Sequence, residues 1–417
     1  MKIMNRLSIG IFSAIVLAAA SPSARAQTNT PTGYKFDFGS GTPAVGWVQI
    51  APTNLYSAES GFGFEPGANV VVGNNSSAST SPFYFSAKLP EGNYKVTVTL
   101  GGDAESTATV KAELRRLMLE KVHIDAGKME TRSFIVNIRT PEISTGGTVK
   151  LKDREKTSEW RDWDDKLTLE FNGDHPSLSK MEIEKVDVPT VYVLGDSTVC
   201  DQPAEPWNSW GQMLPRFFKP EIAIANHAES GETVRSSLGA KRFDKVFSLM
   251  KKGDYLLIQF GTNDEKDGPG ALGTYKENLK KVIERTRTLG GTPVLITSME
   301  RKGGVKEPTL NGYPEGMREV AKDENCALVD LNTMSVIFYQ ALGDDLGKAF
   351  QDGTHHNNYG SYELAKCIIE GIKQDKLPLA KFIADDFKDF DPAHPDAPAT
   401  FSMPVSPNFS SMKPLGN

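Results

Sequence analysis

The stretch VYVLGDST, Val191–Thr198, decides both the fold and the site that this chain predicts. Its first four residues form an apolar run that ends at a turn, which indicates a buried strand. Gly195 and Asp196 then bring the hydroxyl of Ser197 to the carboxyl end of that strand. Ligands bind beyond the carboxyl ends of strands in open α/β sheets, so we expect Ser197 to face a binding site.

Strand-like and helical stretches alternate from about residue 189, just before this segment, to residue 378. Such alternation predicts a parallel sheet covered by helices on both faces, because parallel strands need long crossover connections. We therefore expect a three-layer α/β domain over residues 189–378. The strand-like runs are Val191–Leu194, Tyr255–Gln259, Val294–Thr297 and Ala327–Leu331, and the clearest helical stretches are Thr274–Leu289 and Tyr359–Ile372.

A different pattern dominates earlier in the chain. Val96, Val98 and Leu100 alternate with threonines, as in a strand with one buried face. Many short strands separated by turn residues are typical of a β-sandwich or jelly roll, which we expect over residues 33–188. Further predicted strands are Phe83–Phe85, Ser133–Ile138, Thr148–Leu151, Leu167–Phe171 and Met181–Val186.

The two ends of the chain follow neither pattern. A basic start, the mostly apolar run Leu7–Ala20 and the small-x-small triplet Ala24-Arg25-Ala26 predict an export signal peptide at residues 1–26. The apolar run is shorter than the roughly 20 residues that span a bilayer, which disfavours a membrane anchor. We expect an exported protein, periplasmic or extracellular. Residues 379–417 are rich in Asp, Pro and Ser, and predict a tail that either wraps the domains or is mobile.

The composition narrows the classes of function. The formal net charge of −6 removes the broad attraction that binders of nucleic acid and anionic membranes show, so we expect neither as a partner. Cys200, Cys326 and Cys367 are too few and too scattered for a disulfide scaffold or a zinc site. Cys200 follows Ser197 by three residues, but no Cys-x-x-Cys pair or local base accompanies it. No pattern predicts the oligomeric state.

A serine alcohol is a poor nucleophile until a base accepts its proton, and the base needs a carboxylate to hold its tautomer. Asp352-x-x-His355 is the paired candidate that the sequence offers. It lies in a glycine-containing loop before the last helical stretch of the α/β pattern. We therefore predict Ser197 as the nucleophile, His355 as the base and Asp352 as the orienting carboxylate.

Other assignments of these residues remain open. His356 competes with His355 as the base, although its spacing from Asp352 is longer. Asp196 and Asp264 are expected to fix loops through hydrogen bonds to nearby N–H groups. A metal site built from Asp196, Asp352, His355 and His356 has no helix-spaced ligand motif. We therefore expect neither a metal nor a cofactor.

Four blocks in the α/β part together resemble the SGNH, or GDSL, hydrolases. The resemblance covers roughly Val191–Lys373 and implies a flavodoxin-like parallel-sheet domain. It also implies an oxyanion hole made of the backbone N–H groups of Ser197 and Gly231 and the side-chain amide of Asn263. The blocks are Gly195-Asp196-Ser197, Asn226-x-Ala228-x-x-Gly231, Gly261-Thr262-Asn263-Asp264 and Asp352-x-x-His355.

Within this superfamily the chain is most similar to the rhamnogalacturonan acetylesterases, and the β-rich part looks like a galactose-binding-like jelly roll. Members often carry histidine where Thr262 stands, and Arg-Ser where this chain has Glu232-Thr233. The first departure alters a neighbour of the oxyanion hole, and the second alters the charge beside the pocket. The residues of closer similarity are Trp210-Gly211, Arg242-Phe243, Phe260-Gly261 and the Gly360 that follows His355.

The resemblance implies a secreted serine esterase that removes acetyl groups from pectin, an acetylated plant cell-wall polysaccharide, through an acetyl-serine intermediate. One alternative keeps the chemistry but changes the ester, to acetylated xylan or a lipid-like acyl chain. Another is a catalytically silent carbohydrate-binding protein, and a third is metal-dependent deacetylation. Trp160 and Trp163 stack on sugar rings if they are exposed, and otherwise pack inside the protein.

Overall fold

The apolar run before the Gly-Asp-Ser motif forms the strand Thr190–Gly195 in the computed structural model, and all of its residues are buried. The structure describes residues 1, 32–268 and 270–415, and those from 32 onwards belong to one compact unit. The predicted signal peptide therefore lies outside the described residues, apart from Met1. In the described part of the chain, no helix is both long and apolar enough to cross a membrane.

Strands come first along the chain and helices become frequent later. The first twelve strands are β1 (Gly33–Asp37), β2 (Val48–Gln49), β3 (Phe62–Phe64), β4 (Val71–Val72), β5 (Ser77–Ala78), β6 (Phe83–Lys88), β7 (Gly92–Gly101), β8 (Ser106–Ala112), β9 (Arg116–Ile124), β10 (Met129–Ile138), β11 (Lys166–Asp174) and β12 (Ser177–Val186). The remaining strands are β13 (Thr190–Gly195), β14 (Ala223–Asn226), β15 (Tyr255–Gln259), β16 (Thr292–Ile296) and β17 (Ala327–Val329).

The helices cluster in the α/β part. They are α1 (Asp153–Lys156), α2 (Trp210–Met213), α3 (Val234–Gly239), α4 (Arg242–Leu249), α5 (Ala271–Thr288), α6 (Tyr313–Asp323), α7 (Leu331–Leu342) and α8 (Asn358–Gln374). Short 3₁₀ turns occur at Trp160–Asp162, Leu214–Phe217, Asp264–Asp267, Lys302–Val305, Gly343–Ala349 and Pro378–Phe382.

Two mainly antiparallel sheets form the N-terminal β domain, as predicted. One has the order β10-β7-β12-β1-β2 with β4 and β5 beside β12, and the other has the order β3-β6-β11-β8-β9. Aromatic side chains join them, since Phe36 of β1 packs against Phe85 of β6 with ring centroids 5.1 Å apart. Thr148–Leu151 is not a strand, because Lys150 N donates to Ala240 O at the end of α3 instead of pairing within a sheet.

A five-stranded parallel sheet, ordered β14-β13-β15-β16-β17, forms the core of the α/β hydrolase domain and confirms the predicted fold class. Alternate residues of β13 face opposite layers. Val191 and Val193 pack in the apolar layer with α2, α7 and α8, whereas Tyr192 and Leu194 pack with α4, α5 and α6. The strand order is that of flavodoxin-like sheets. In such sheets ligands bind at the point where the strand order reverses, which here lies between β13 and β15.

The C-terminal segment runs back over both parts of the molecule. Leu379, Phe382 and Phe390 pack in the same apolar layer as α8. Farther along, Lys111 Nζ of β8 donates to Pro404 O at 2.8 Å, and Phe409 forms a bridge with Glu205. The described residues of this tail are therefore packed against the β and α/β domains. The exact domain boundaries remain a prediction.

Trp163 and the three cysteines are buried, whereas Trp160 is partly exposed. Trp163 is buried beside Ile143 and Val149, and the Arg139 guanidinium lies 4.6 Å from its ring centroid. Trp160 is 38% exposed and has Lys166 Nζ at 4.5 Å from its ring. All three cysteines are buried and free of disulfides, and burial raises the pKa of the Cys200 thiol well above its ordinary value.

Candidate active site

Ser197, His355 and Asp352 lie in one hydrogen-bonded row at the carboxyl edge of the parallel sheet. Asp352 Oδ2 accepts from His355 Nδ1 at 2.9 Å, which leaves Nε2 as the acceptor for Ser197 Oγ at 2.8 Å. The serine and histidine are 2% and 1% exposed. Ser197 follows β13, and the other two precede α8, so the sheet edge brings together residues 158 positions apart.

Three N–H donors hold the Asp352 carboxylate in its charged form. Its Oδ1 accepts from the backbone N–H groups of Thr354 and His355, both at 2.7 Å. Burial raises the pKa of this carboxyl, but the hydrogen bonds from His355 and Thr354 outweigh that effect and hold it well below its usual range. A carboxylate fixed in this way keeps the imidazole in the tautomer that can accept the serine proton.

Two residues that the sequence did not single out support this row. Gln202 Nε2 donates to the backbone oxygen of Ser197 at 2.7 Å, and so fixes the turn that carries the nucleophile. The ring of Trp207 meets the ring of His355 edge-on, with centroids 5.8 Å apart. Neither residue belongs to a recognisable motif, so only the spacing of polar and aromatic residues after Ser197 could have pointed to them.

Two of the three predicted oxyanion donors, Gly231 and Asn263, lie on neighbouring loops. Gly231 lies between β14 and α3 with φ at 75°, a conformation that favours glycine. Asn263 is 5% exposed, and its Nδ2 donates to Glu232 O at 3.2 Å. An amide group carries a second N–H, which can serve a ligand. Asn263 is thus hydrogen-bonded to the loop that contains Gly231.

Asp196 and Asp264 accept hydrogen bonds from nearby groups in the way expected of residues that fix loops. Asp196 Oδ1 accepts from the backbone N–H and the hydroxyl of Thr198, at 2.9 and 2.7 Å. Asp264 accepts from Val234 N at 2.9 Å and from Gly261 N at 3.0 Å, so it ties the glycine loop to the asparagine loop. Burial raises the pKa of the Asp264 carboxyl to about 7.

His356 lies away from the row of Ser197 and Asp352. Its Nε2 and the Tyr339 hydroxyl are 2.9 Å apart, and its ring packs against Phe350 with centroids separated by 4.2 Å. Burial, together with the neighbouring His355, lowers the pKa of this imidazole to about 3. The structure thus places His355, and not its neighbour, between the carboxylate and the serine. Within the described ranges, no three His, Cys, Asp or Glu side chains converge as metal ligands.

The fold and this row of residues define an α/β hydrolase domain with a preceding antiparallel β domain. Residues 193–361 match the GDSL-like Lipase/Acylhydrolase family, and residues 34–138 match the Beta-agarase/YXIM esterase-like, galactose-binding domain-like family. Rhamnogalacturonan acetylesterase RhgT of Bacillus subtilis is 32% identical over 212 residues, which cover 45% of this chain and 91% of RhgT. The chain therefore belongs to the GDSL-like, or SGNH, family.

Similarity to a second protein extends over both domains. The uncharacterized esterase YxiM of Bacillus subtilis is 24% identical over 403 residues, which cover 90% of this chain and 99% of YxiM. The crystal structure of YxiM aligns with a TM-score of 0.45 at 25% identity, over 83% of this chain and 99% of that chain.

Proposed function

We propose that the protein is an exported serine esterase that removes acetyl groups from rhamnogalacturonan, the branched backbone of pectin. The hydrogen-bonded row of Asp352, His355 and Ser197 carries this proposal. A hydroxyl that donates to a buried imidazole, itself oriented by an ionised carboxylate, is the arrangement that activates serine as a nucleophile.

In the first half of the reaction, Ser197 Oγ attacks the acetyl carbonyl carbon while its proton passes to His355 Nε2. The carbonyl oxygen gains negative charge, and we assign the N–H groups of Ser197 and Gly231 and the amide of Asn263 as the donors that stabilise it. The tetrahedral intermediate then expels the sugar oxygen. His355 returns the proton to that oxygen, and an acetyl-serine remains.

In the second half, water replaces the sugar. His355 takes a proton from the water as the water oxygen attacks the carbonyl carbon of the acetyl-serine. The second tetrahedral intermediate then breaks its bond to Ser197 Oγ and releases acetate, and His355 returns the proton to Oγ to restore the hydroxyl. Asp352 stays ionised throughout and stabilises the imidazolium that forms twice in the cycle. Each catalytic cycle consumes one water molecule and needs no reactant other than the acetyl ester.

Relatives that act on acetylated rhamnogalacturonan support the choice of substrate. Two curated relatives from Bacillus subtilis and one from Emericella nidulans are named as established or probable rhamnogalacturonan acetylesterases. The chain covers most of the length of each. Acetylated xylan is the competing ester.

Acetate release from a panel of substrates tests the proposal. The panel holds acetylated rhamnogalacturonan, acetylxylan and a chain-length series of nitrophenyl esters, and we expect the highest kcat/KM on the first. Ser197→Ala should lower hydrolysis by several orders of magnitude with an unchanged Tm, whereas Ser402→Ala, at an exposed serine of the tail, should leave hydrolysis unaltered. Activity retained by Ser197→Ala, or loss of activity on addition of a chelator, contradicts the serine mechanism.

Export forms a separate part of the proposal, supported by the sequence of residues 1–26. Expression of the full chain in a host with a general secretion pathway should give a mature protein that begins at Gln27. Sequencing of the N-terminus and fractionation of the cells check this. An intact Met1 on the active protein in the cytoplasm contradicts it.

A further inference from the structure

A lysine of the β domain, Lys152, contacts the loop that carries Gly231. Lys152 Nζ, at the start of α1, donates to Ser230 O at 2.5 Å and lies 2.8 Å from Glu232 Oε1. These two partners are the residues immediately before and after Gly231. Lys152 therefore contacts the backbone oxygen of the residue before a predicted oxyanion donor and the side-chain carboxylate of the residue after it.

Glu232 links this lysine to the second predicted donor. Its backbone oxygen accepts from Asn263 Nδ2 at 3.2 Å, and its carboxylate accepts from the hydroxyl groups of Ser236 and Ser237. The side chain is 2% exposed. Burial raises the pKa of this carboxyl, but Arg242 and Lys152 outweigh that effect and lower it, so the residue is ionised. A shift of Glu232 would displace both Gly231 and Asn263.

Lys152 itself is anchored on a buried ion pair. Its backbone N–H donates to Glu155 Oε2 at 2.7 Å. The same carboxylate accepts two bonds from Arg242 of α4, at 2.9 and 2.6 Å, and both side chains are at most 1% exposed. Such a paired geometry fixes direction as well as distance. The backbone of Lys152 is thus held in place where α1 contacts the hydrolase domain.

We propose that Lys152 is a positioning residue for the oxyanion hole, contributed by the β domain to the hydrolase domain. The inference rests on the proposed function, because negative charge develops at that place when Ser197 attacks an acyl carbonyl. The lysine does not touch the substrate. It fixes the Gly231 N–H and, through Glu232, the Asn263 amide at the distance that the developing oxyanion needs. Misplacement of a reacting group by about 1 Å can cost on the order of 10²-fold in rate.

The test compares two lysines of the same short segment in the full chain. Lys152→Met should lower kcat on an acetyl ester by roughly tenfold or more with KM within about twofold, because the lost contacts matter most in the transition state. Lys152→Arg should recover much of the rate, since its head can still reach Glu232. Lys156→Met is the matched control, because Lys156 is exposed and pairs with the exposed Asp153. It should keep the wild-type kcat.

The rate of covalent labelling distinguishes a loss of donor positioning in the oxyanion hole from a general loss of structure. The rate at which a phosphonate labels Ser197 depends on the oxyanion hole, so it should fall in Lys152→Met by about the same factor as kcat. Glu232→Gln should act in the same direction, and the double variant should be less than additive. This second variant keeps the test decisive even where Lys152→Met does not fold.

The inference is wrong if Lys152→Met and Glu232→Gln both keep the wild-type kcat and labelling rate. It is also wrong if Lys156→Met loses as much as Lys152→Met, or if kcat falls only in proportion to the folded fraction. The proposed function fails in a different way, through activity that survives in Ser197→Ala. The two failures are therefore distinguishable.

Discussion

At the scale of single residues, the orientation of one imidazole decides the chemistry. His355 Nδ1 donates to Asp352, its Nε2 accepts from Ser197, and Trp207 packs edge-on against its ring. Trp207 is in turn tied to the C-terminal segment, because its Nε1 donates to Ser410 O at 3.0 Å. The ring can therefore neither rotate nor change tautomer without breaking several contacts.

Asp352→Asn tests this orientation. An amide nitrogen facing Nδ1 favours the wrong tautomer, so we expect kcat to fall by roughly 10³ to 10⁴, as in other serine hydrolases with a triad. The measurement is steady-state hydrolysis of an acetyl ester, with circular dichroism to verify folding. A fall in kcat of less than tenfold would show that Asp352 does not orient the catalytic base.

Asn263→Ala tests the oxyanion hole. Removing one such donor usually costs about 10² to 10³ in turnover, and we expect a loss of that size in kcat with little change in KM. Kinetics on the same acetyl ester check it. Asn311→Ala is a useful comparison, since Asn311 lies on the surface, where its amide donates to Glu265 at 2.8 Å. A cost below tenfold for Asn263→Ala would move that residue out of the site.

The sequence predicted Ser197, Gly231, Asn263, Asp352 and His355 because each stands in a short local pattern. The structure places the serine, histidine and aspartate in one row, and the asparagine loop beside the glycine loop. Lys152 and Gln202 stand in no such pattern. Their contacts with the site depend on how distant parts of the chain pack, and a single sequence carries no local signal for that.

At the scale of elements, strands with strong apolar runs were predicted closely. The predicted strand Tyr255–Gln259 matches β15, whereas Ala327–Leu331 runs two residues too far. The reason is Asp330, whose side chain accepts from Thr333 N and begins α7. The strand β14 was absent from the predicted strands because Ala223–Asn226 is short and half of it is alanine, which has little preference for strands.

The last helix of the hydrolase domain, α8, contains a buried acid whose protonation should make stability depend on pH. Glu363 accepts from Asp396 N at 3.1 Å and lies 2.7 Å from Lys366 Nζ. Burial raises the pKa of this carboxyl from 4.5 to about 7, although Lys366 opposes the shift. The folded state therefore holds this proton more tightly than the unfolded chain does.

Glu363→Gln should flatten part of the pH dependence. Because the pKa is raised on folding, the stabilisation is complete below about pH 4.5 and is lost as the pH rises through about 7. A shift of this size corresponds to at most about 3 kcal/mol. Urea unfolding between pH 5 and pH 8 should show the wild type losing up to that much relative to the variant. Parallel curves for the two proteins would contradict the assignment.

At the scale of the whole molecule, buried charges join the β domain to the hydrolase domain. The turn between β8 and β9 enters the nucleophile loop, where Arg115 Nη1 donates to the backbone oxygens of Gln202 and Trp207 at 3.1 and 3.0 Å. Each domain thus presents buried ions whose partners lie in the other. The ion pairs that cross between them include Arg115 with Glu205, Arg116 with Asp201, Glu155 with Arg242 and Glu91 with Lys245.

This arrangement predicts that the two domains unfold together. Separating them would leave Asp201 and Glu205 without an ion-pair partner and Arg242 without its bidentate one, and an uncompensated buried ion costs several kcal/mol. Differential scanning calorimetry of the full chain should therefore give one transition, although chains of this size often give more. Arg116→Met should lower the Tm of that transition as a whole, because Arg116 is 2% exposed and contacts both Asp162 and Asp201. Two separate transitions, with Arg116→Met shifting only the one assigned to the β domain, would show that the domains are energetically independent.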